Sequence, residues 1–217
     1  MKYYHGTDNE NIIVFDNKQK KKKSDFGGLG IYATTLIDQA KEWSCKNSVN
    51  GVVYISEIDL NKYPLNIIYY DGNEEDFKYL CYLCRNKTED AAKETIYNYE
   101  NADIIVGPVL SNINNLYRNI KKLHGDNFSI NKNKSNIKKI IFKKVTKNDT
   151  FDIIDKSIKK HHNMNQIFFK SDLAMRIFNE NLKEMIYCKN DNGHINEVIR
   201  KKISFSIDEN QIIKKGV

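Results

Sequence analysis

The chain has 217 residues, a formal net charge of +7 and 40% hydrophobic residues. That length and apolar content support a single domain able to bury its own core, while only 2 prolines and 29% charged residues exclude a linker-rich or disordered chain. The basic balance, with a pI near 9.0, fits either an anionic partner or plain solvated lysine, and 4 cysteines fit reduced thiols better than a disulfide framework.

In chain order, Lys2-Tyr3-Tyr4-His5-Gly6-Thr7 reads as a short strand that sets a histidine, a glycine and a hydroxyl in a row where the chain must turn. No apolar signal region precedes it and no later stretch approaches a membrane span, so a soluble, cytoplasmic protein with no membrane partner is expected. Lys18, Lys20, Lys21, Lys22 and Lys23 then crowd one loop, which reads as an anion contact or as a solvated segment. Next comes Phe26-Gly27-Gly28-Leu29-Gly30-Ile31-Tyr32-Ala33-Thr34. Its glycines permit positive φ and close approach of a ligand, and the β-branched and aromatic residues behind them predict a strand. Residues 36–43 have few breakers and predict a helix capped by Thr34 or Thr35, with Trp43 at its end.

Residues 51–60 and 65–70 read as strands. Over residues 74–86 the spacing of Phe77, Leu80, Cys81 and Cys84 predicts one apolar helix face, so the Cys81-x-x-Cys84 pair is expected to be core and no metal site is expected. Residues 88–99 form a weaker helix pattern, and 102–106 a buried strand ending at Gly107-Pro108, with Asp103 preceding its apolar core. A helical pattern at 112–123, a polar Asn/Lys loop at 126–136, an apolar stretch at 137–145 and an ambiguous segment at 151–160 follow. Gln166 to Lys170 reads as strand and 171–186 as helix, with Leu173, Ile177 and Met185 apolar. The remainder is a charged mixture with a weak strand at 203–207.

Together these motifs resemble the ADP-ribosyltransferase fold of the diphtheria-toxin and poly-ADP-ribose polymerase type. There one strand carries His-Gly-Ser/Thr, a second carries Gly-x-Gly-x-Tyr with a later aromatic, and a third opens with a glutamate. A closer resemblance is to the bacterial domain-of-unknown-function family 3990, thought to share that fold, through Tyr4-His5-Gly6-Thr7, Asp25-Phe26-Gly27, Gly28-Leu29-Gly30-Ile31-Tyr32-Ala33-Thr34, Ala40-Lys41-Glu42-Trp43, Asp103-Ile104-Ile105-Val106-Gly107-Pro108-Val109 and Gln166-Ile167-Phe168-Phe169. The resemblance spans roughly residues 3–180. It implies an α+β fold, a split pair of antiparallel sheets with surrounding helices, as a domain over 1–180 with 181–217 as a C-terminal extension packed on it.

The resemblance also implies a function: mono-ADP-ribosyl transfer from NAD, as substrate, to a protein or nucleic-acid acceptor, with a toxin role and an antitoxin or immunity partner among its consequences. It assigns His5 to a ribose, Gly6 to the nicotinamide amide through its backbone, Thr7 to a ribose hydroxyl, Gly30 to the ligand-facing turn, and Tyr32 and Trp43 to stacking on nicotinamide. His5, Tyr32 and Gln166 are the catalytic set. Gln166 stands where the fold has glutamate, and an amide accepts a hydrogen bond without supplying charge or acting as a base. Asp103 is a candidate source of the missing charge, and Gln166→Glu is expected to raise NAD glycohydrolysis. A non-catalytic NAD-binding or nucleotide-binding module and an RNA-modifying enzyme of the same fold are the alternatives.

The cysteine reading gives a first test. Protein purified without chelator is expected to hold no stoichiometric zinc by elemental analysis, since Cys81 and Cys84 have no second pair to complete a tetrahedral site; one zinc per chain would overturn it.

Overall fold

A computed structural model describes residues 1–8, 26, 29–71, 93, 96–110 and 160–203. The lysine loop at 18–23, Gly27 and Gly28, the Cys81/Cys84 helix pattern, most of 88–99, and the segments read at 112–123, 126–136, 137–145, 151–159 and 204–207 lie outside the described residues.

Two four-stranded sheets form the body. The first has the order β1 (Lys2–Thr7), β3 (Asn50–Glu57), β7 (Leu182–Asp191), β8 (His194–Lys202), every pair antiparallel. The second has the order β2 (Ile31–Ala33), β6 (Lys160–Phe169), β5 (Ile104–Leu110), β4 (Ile67–Tyr69). The expected α+β class is met, with one correction to the sheets. β4 and β5 run parallel, because the long connection between them is enough for a crossover.

Burial follows the strand alternation. From β1 and β3, Tyr3, Val52 and Tyr54 face Ile31, Ile104, Ile167 and Phe169 of the second sheet, and helix α2 (Asp172–Glu180) closes this core with Ala174, Ile177 and Phe178. On the outer face of the first sheet, Val53, Ile55, Ile186 and Cys188 pack under helix α1 (Ile37–Ser44) through Ala40. β3 is thus buried on both faces, which explains its unbroken Val-Val-Tyr-Ile run. The outer face of the second sheet carries a third cluster that includes Phe26, Tyr99, Ile105 and Phe168.

α1 lies unusually close to its sheet. A Cβ on Gly6 would fall on the Ala40 carbonyl oxygen and the Ser44 N–H, and one on Gly51 would fall on the Ser44 carbonyl. Successive turns of α1 therefore rest on two glycines of adjacent strands.

Three boundaries differ from the sequence reading. The helix expected over 171–186 stops at Glu180: Asn181 folds its side-chain amide back onto the Ile177 carbonyl at 2.8 Å, and Leu182 enters β7, where pairing with β3 outweighs the helical pattern. β5 does not end at Gly107-Pro108 but runs on to Leu110, because β4 has already stopped and the missing proline N–H leaves no partner unsatisfied there. In the charged C-terminal stretch, Asn192 and Gly193 take φ of 53° and 94° and turn β7 into β8, a two-residue hairpin carried by an Asn-Gly pair.

The glycine contacts are testable. Gly6→Ala should cost about 2–4 kcal/mol, since only backbone atoms of α1 stand in the way and the helix must lift. Gly193→Ala meets open space and should cost about 1–2 kcal/mol for its backbone conformation alone. Urea unfolding of both variants checks the order.

Candidate functional site

Besides packing face to face, the two sheets are joined by one backbone bridge among the described residues. Tyr4 donates its N–H to the Thr34 carbonyl at 2.8 Å, and Thr34 donates back to the Tyr4 carbonyl at 2.9 Å. Beyond this bridge β1 and β2 diverge, and His5 spans the gap with Nδ1 at 2.6 Å from the Tyr32 carbonyl oxygen. A carbonyl only accepts, so Nδ1 carries the proton, and in the neutral ring Nε2 is the acceptor. His5 is buried, 8% exposed.

Strand alternation then fixes the direction of Gly6. Tyr4 spends both of its backbone groups on Thr34, so two residues on the N–H and C=O of Gly6 point to that same edge, away from β3 and into the wedge between β1 and β2. Its missing Cβ has a separate cause, the close approach of α1. Thr7, half-buried, continues the same strand.

Tyr32 lies on the opposite face of β2 from the central core. Its ring stacks on Phe168 with centroids 4.4 Å apart and planes at 22°, and its hydroxyl accepts the Phe26 N–H at 3.1 Å. The Phe26 ring is 6.2 Å from Tyr32 and 6.3 Å from Phe168, so it lies beside the stacked pair rather than across from it. Tyr99 donates its hydroxyl to the Phe26 carbonyl at 2.8 Å, fixing that residue from the other side. Gly30 does not take the positive φ expected of it, and a Cβ there would collide with the Phe169 carbonyl and the Phe168 ring.

Trp43 is half-buried on α1. It stands one turn beyond Gln39 on the same flank of that helix, and Gln39 reaches β6, donating Nε2 to the Asn165 carbonyl at 2.7 Å. Trp43 therefore sits on the flank of α1 that faces the second sheet. No ring contact joins it to Tyr32 among the described residues.

Gln166 is 3% exposed on β6, directly opposite Gly107, and donates Nε2 to the Pro108 carbonyl at 2.8 Å. The Phe26 ring fills the space that a Cβ on Gly107 would need, so Gln166 and Phe26 share one face of the sheet. Asp103 does not join them. It lies at the far end of β5, about 13 Å along the strand from Gly107. There its carboxylate accepts the Ser171 hydroxyl at 2.5 Å and the Asn66 N–H at 2.8 Å, while Ser171 caps α2. The carboxylate weighed as a substitute for the absent glutamate is a structural clamp.

The wedge thus brings together His5, Gly6 and Tyr32, with Gln166 and Trp43 on the elements that flank it. In the central core burial pushes the Tyr3 phenol up, and under α1 it pushes the Cys188 thiol up, the reverse of an activated nucleophile. Among the described residues no cluster of His, Cys, Asp and Glu is arranged to hold a metal. No described helix is long and apolar enough to cross a membrane.

A protein family described as "Protein of unknown function (DUF3990)" matches residues 1–180. The chain belongs to that family. No curated protein and no solved structure matches it. The family match ends with α2, whereas β7 lies between β3 and β8 within the first sheet, so this member completes that sheet with residues beyond the matched span.

Sequence reasoning missed Gln39, Asn165 and Phe168, whose amides and ring build the walls around the named residues. Phe168 was legible as part of an apolar strand; side-chain amides on a helix flank give no pattern.

The Pro108 contact bears on Gln166→Glu. That substitution removes the donated N–H and sets an oxygen against a buried carbonyl, which should cost about 1–3 kcal/mol at neutral pH. Burial and the carbonyl both raise the folded-state pKa of the new carboxyl, so the deficit is small below its unfolded value of about 4.3 and grows as pH rises toward the folded value. Urea unfolding at about pH 4 and about pH 7 measures the difference.

Proposed function

We propose that this chain binds NAD in the wedge between β1 and β2 and transfers ADP-ribose from it to a macromolecular acceptor, as a mono-ADP-ribosyltransferase-like protein. The observation that carries the reading is the pairing at Gly6 and His5. One backbone donor and one backbone acceptor point into the wedge beside a histidine whose tautomer is fixed by the Tyr32 carbonyl. A carboxamide, with its own donor and acceptor, is the complement of such a strand edge. The ordered motifs from His5 to Gln166 support the same reading by their resemblance to the ADP-ribosyltransferase fold.

Breaking the bond between nicotinamide and ribose develops positive charge on the sugar, so the chain's contribution is to hold the dinucleotide in place and to stabilise that charge. Gly6 would fix the carboxamide and thereby the plane of the ring. Tyr32 and Trp43 would supply aromatic faces for a cationic ring, an interaction of about 0.5–2 kcal/mol. His5 and Thr7 would take ribose hydroxyls. Gln166 would accept a hydroxyl bond through its amide oxygen while its nitrogen stays on Pro108, orienting the sugar without adding charge.

A second reading, an NAD-binding module without turnover, is favoured by one observation: the only carboxylate weighed as a replacement for the missing charge is held elsewhere, by Ser171 and Asn66. An RNA-modifying activity rests on the +7 charge alone. A toxin with an immunity partner, acting in the cytoplasm, is the setting that the transferase reading fits.

Calorimetry and the emission of Trp43, the 1 tryptophan of the chain, test the binding. NAD at concentrations up to about 1 mM should give saturable heat and quench the indole. His5→Ala should weaken binding about tenfold or more through the lost wedge contact. Nicotinamide release by the wild type then separates transferase from module. Folded wild-type protein that shows neither heat nor quenching would end the NAD reading.

A further inference from the structure

We infer that Asn165 is a positioning residue that sets the separation between the Gln166 wall and the Trp43 wall of the wedge. What is positioned rests on the NAD reading above; the positioning itself rests on hydrogen bonds alone.

β2 stops at Ala33, paired with Ile167, so the outer edge of β6 loses its strand partner just before Gln166. A side chain takes over. The Gln39 amide donates to the Asn165 carbonyl at 2.7 Å and accepts the Asn165 N–H at 3.3 Å, the exchange that a residue of a neighbouring antiparallel strand would make. The Asn165 side chain then binds the segment between β2 and α1. Its Oδ1 accepts the Thr34 hydroxyl at 2.9 Å and the Thr35 N–H at 3.1 Å, and its Nδ2 donates to the Thr35 hydroxyl at 2.7 Å. Thr34 is also the residue that bridges to Tyr4, and its hydroxyl accepts the Leu36 N–H at the entry to α1.

One residue therefore holds the end of β2, the start of α1 and the strand of Gln166 in a single register. Gln39 and Trp43 share the α1 flank, so a helix released from Asn165 carries the indole with it, whereas Gln166 stays in the β6–β5 ladder. A site held within a fraction of an ångström by such supporting bonds loses turnover when they are cut, before it loses its fold.

The test compares Asn165→Ala, Asn165→Asp and Gln39→Leu in the full chain. An aspartate accepts the same bonds from Thr34 and Thr35, and the Thr35 hydroxyl can turn to donate, so it should restore what alanine removes. The expected result without nucleotide is an acrylamide quenching constant for Trp43 that rises about twofold or more in Asn165→Ala and Gln39→Leu and returns to wild type in Asn165→Asp. With NAD, kcat for nicotinamide release should fall about tenfold to a hundredfold while KM stays within about threefold. Thr35→Val, which removes part of the clamp, should shift both readings in the same direction and stands in if Asn165→Ala does not fold. Unchanged quenching in the folded clamp variants, or an aspartate variant no better than the alanine one, would overturn the proposal. A wild type that neither binds nor cleaves NAD would end the functional reading alone, because the fluorescence comparison still decides whether Asn165 positions Trp43.

Discussion

Two backbone hydrogen bonds between Tyr4 and Thr34 join the sheets, and the arrangement of the wedge depends on them. A longer ladder between β1 and β2 would have closed the gap, with Gly6 paired to its neighbour as Tyr4 is. A single bridge instead consumes the outward-facing groups of Tyr4 and leaves the next outward-facing pair, at Gly6, aimed into the divergence. His5 then fills the angle without closing it, because its side chain crosses to the Tyr32 carbonyl where a backbone group would not reach.

Gly6 meets two demands that are independent of each other. Its Cα hydrogen faces α1, where the Ala40 carbonyl and the Ser44 N–H leave no volume for a side chain. Its peptide groups face the wedge. The helix contact alone would select glycine even if no ligand ever bound, so the residue type is evidence for packing, and only the direction of its N–H and C=O is evidence for recognition. The same holds at Gly30, where Phe168 and Phe169 account for the missing side chain.

Much of this was readable from residue order. β1, β2, α1, β3 and the core of β6 follow from alternation, β-branched runs and a breaker-free stretch, and His5, Gly6, Tyr32, Trp43 and Gln166 lie on these elements. Where the sequence misled, long-range pairing decided the outcome. Leu182 to Ile186 has the spacing of a helix, but β3 offers an open edge that takes it as strand. Asn192-Gly193 was a hairpin signal present in the sequence and obscured by the charges on either side. Asp103 looked like a spare carboxylate because its distance from Gln166 in space depends on the β5–β6 register, which no local pattern encodes. The clamp at Asn165 was invisible for the same reason: Thr34, Thr35 and Gln39 meet it only after the sheets have formed.

The way α1 is seated has a mechanical consequence. β1 is paired along its whole length with β3, pressed by helix backbone at Gly6, and tied at its start by the Met1 ammonium to the Ile58 carbonyl at 3.0 Å. β2, with three residues, is held from the other side, by its ladder to β6 and by the Asn165 side chain at its end. The two borders of the wedge are therefore anchored separately, the Gly6 edge to β3 and α1 and the Tyr32 edge to β6 and Phe168, and the Tyr4–Thr34 bridge is the point from which the span between these anchorages opens.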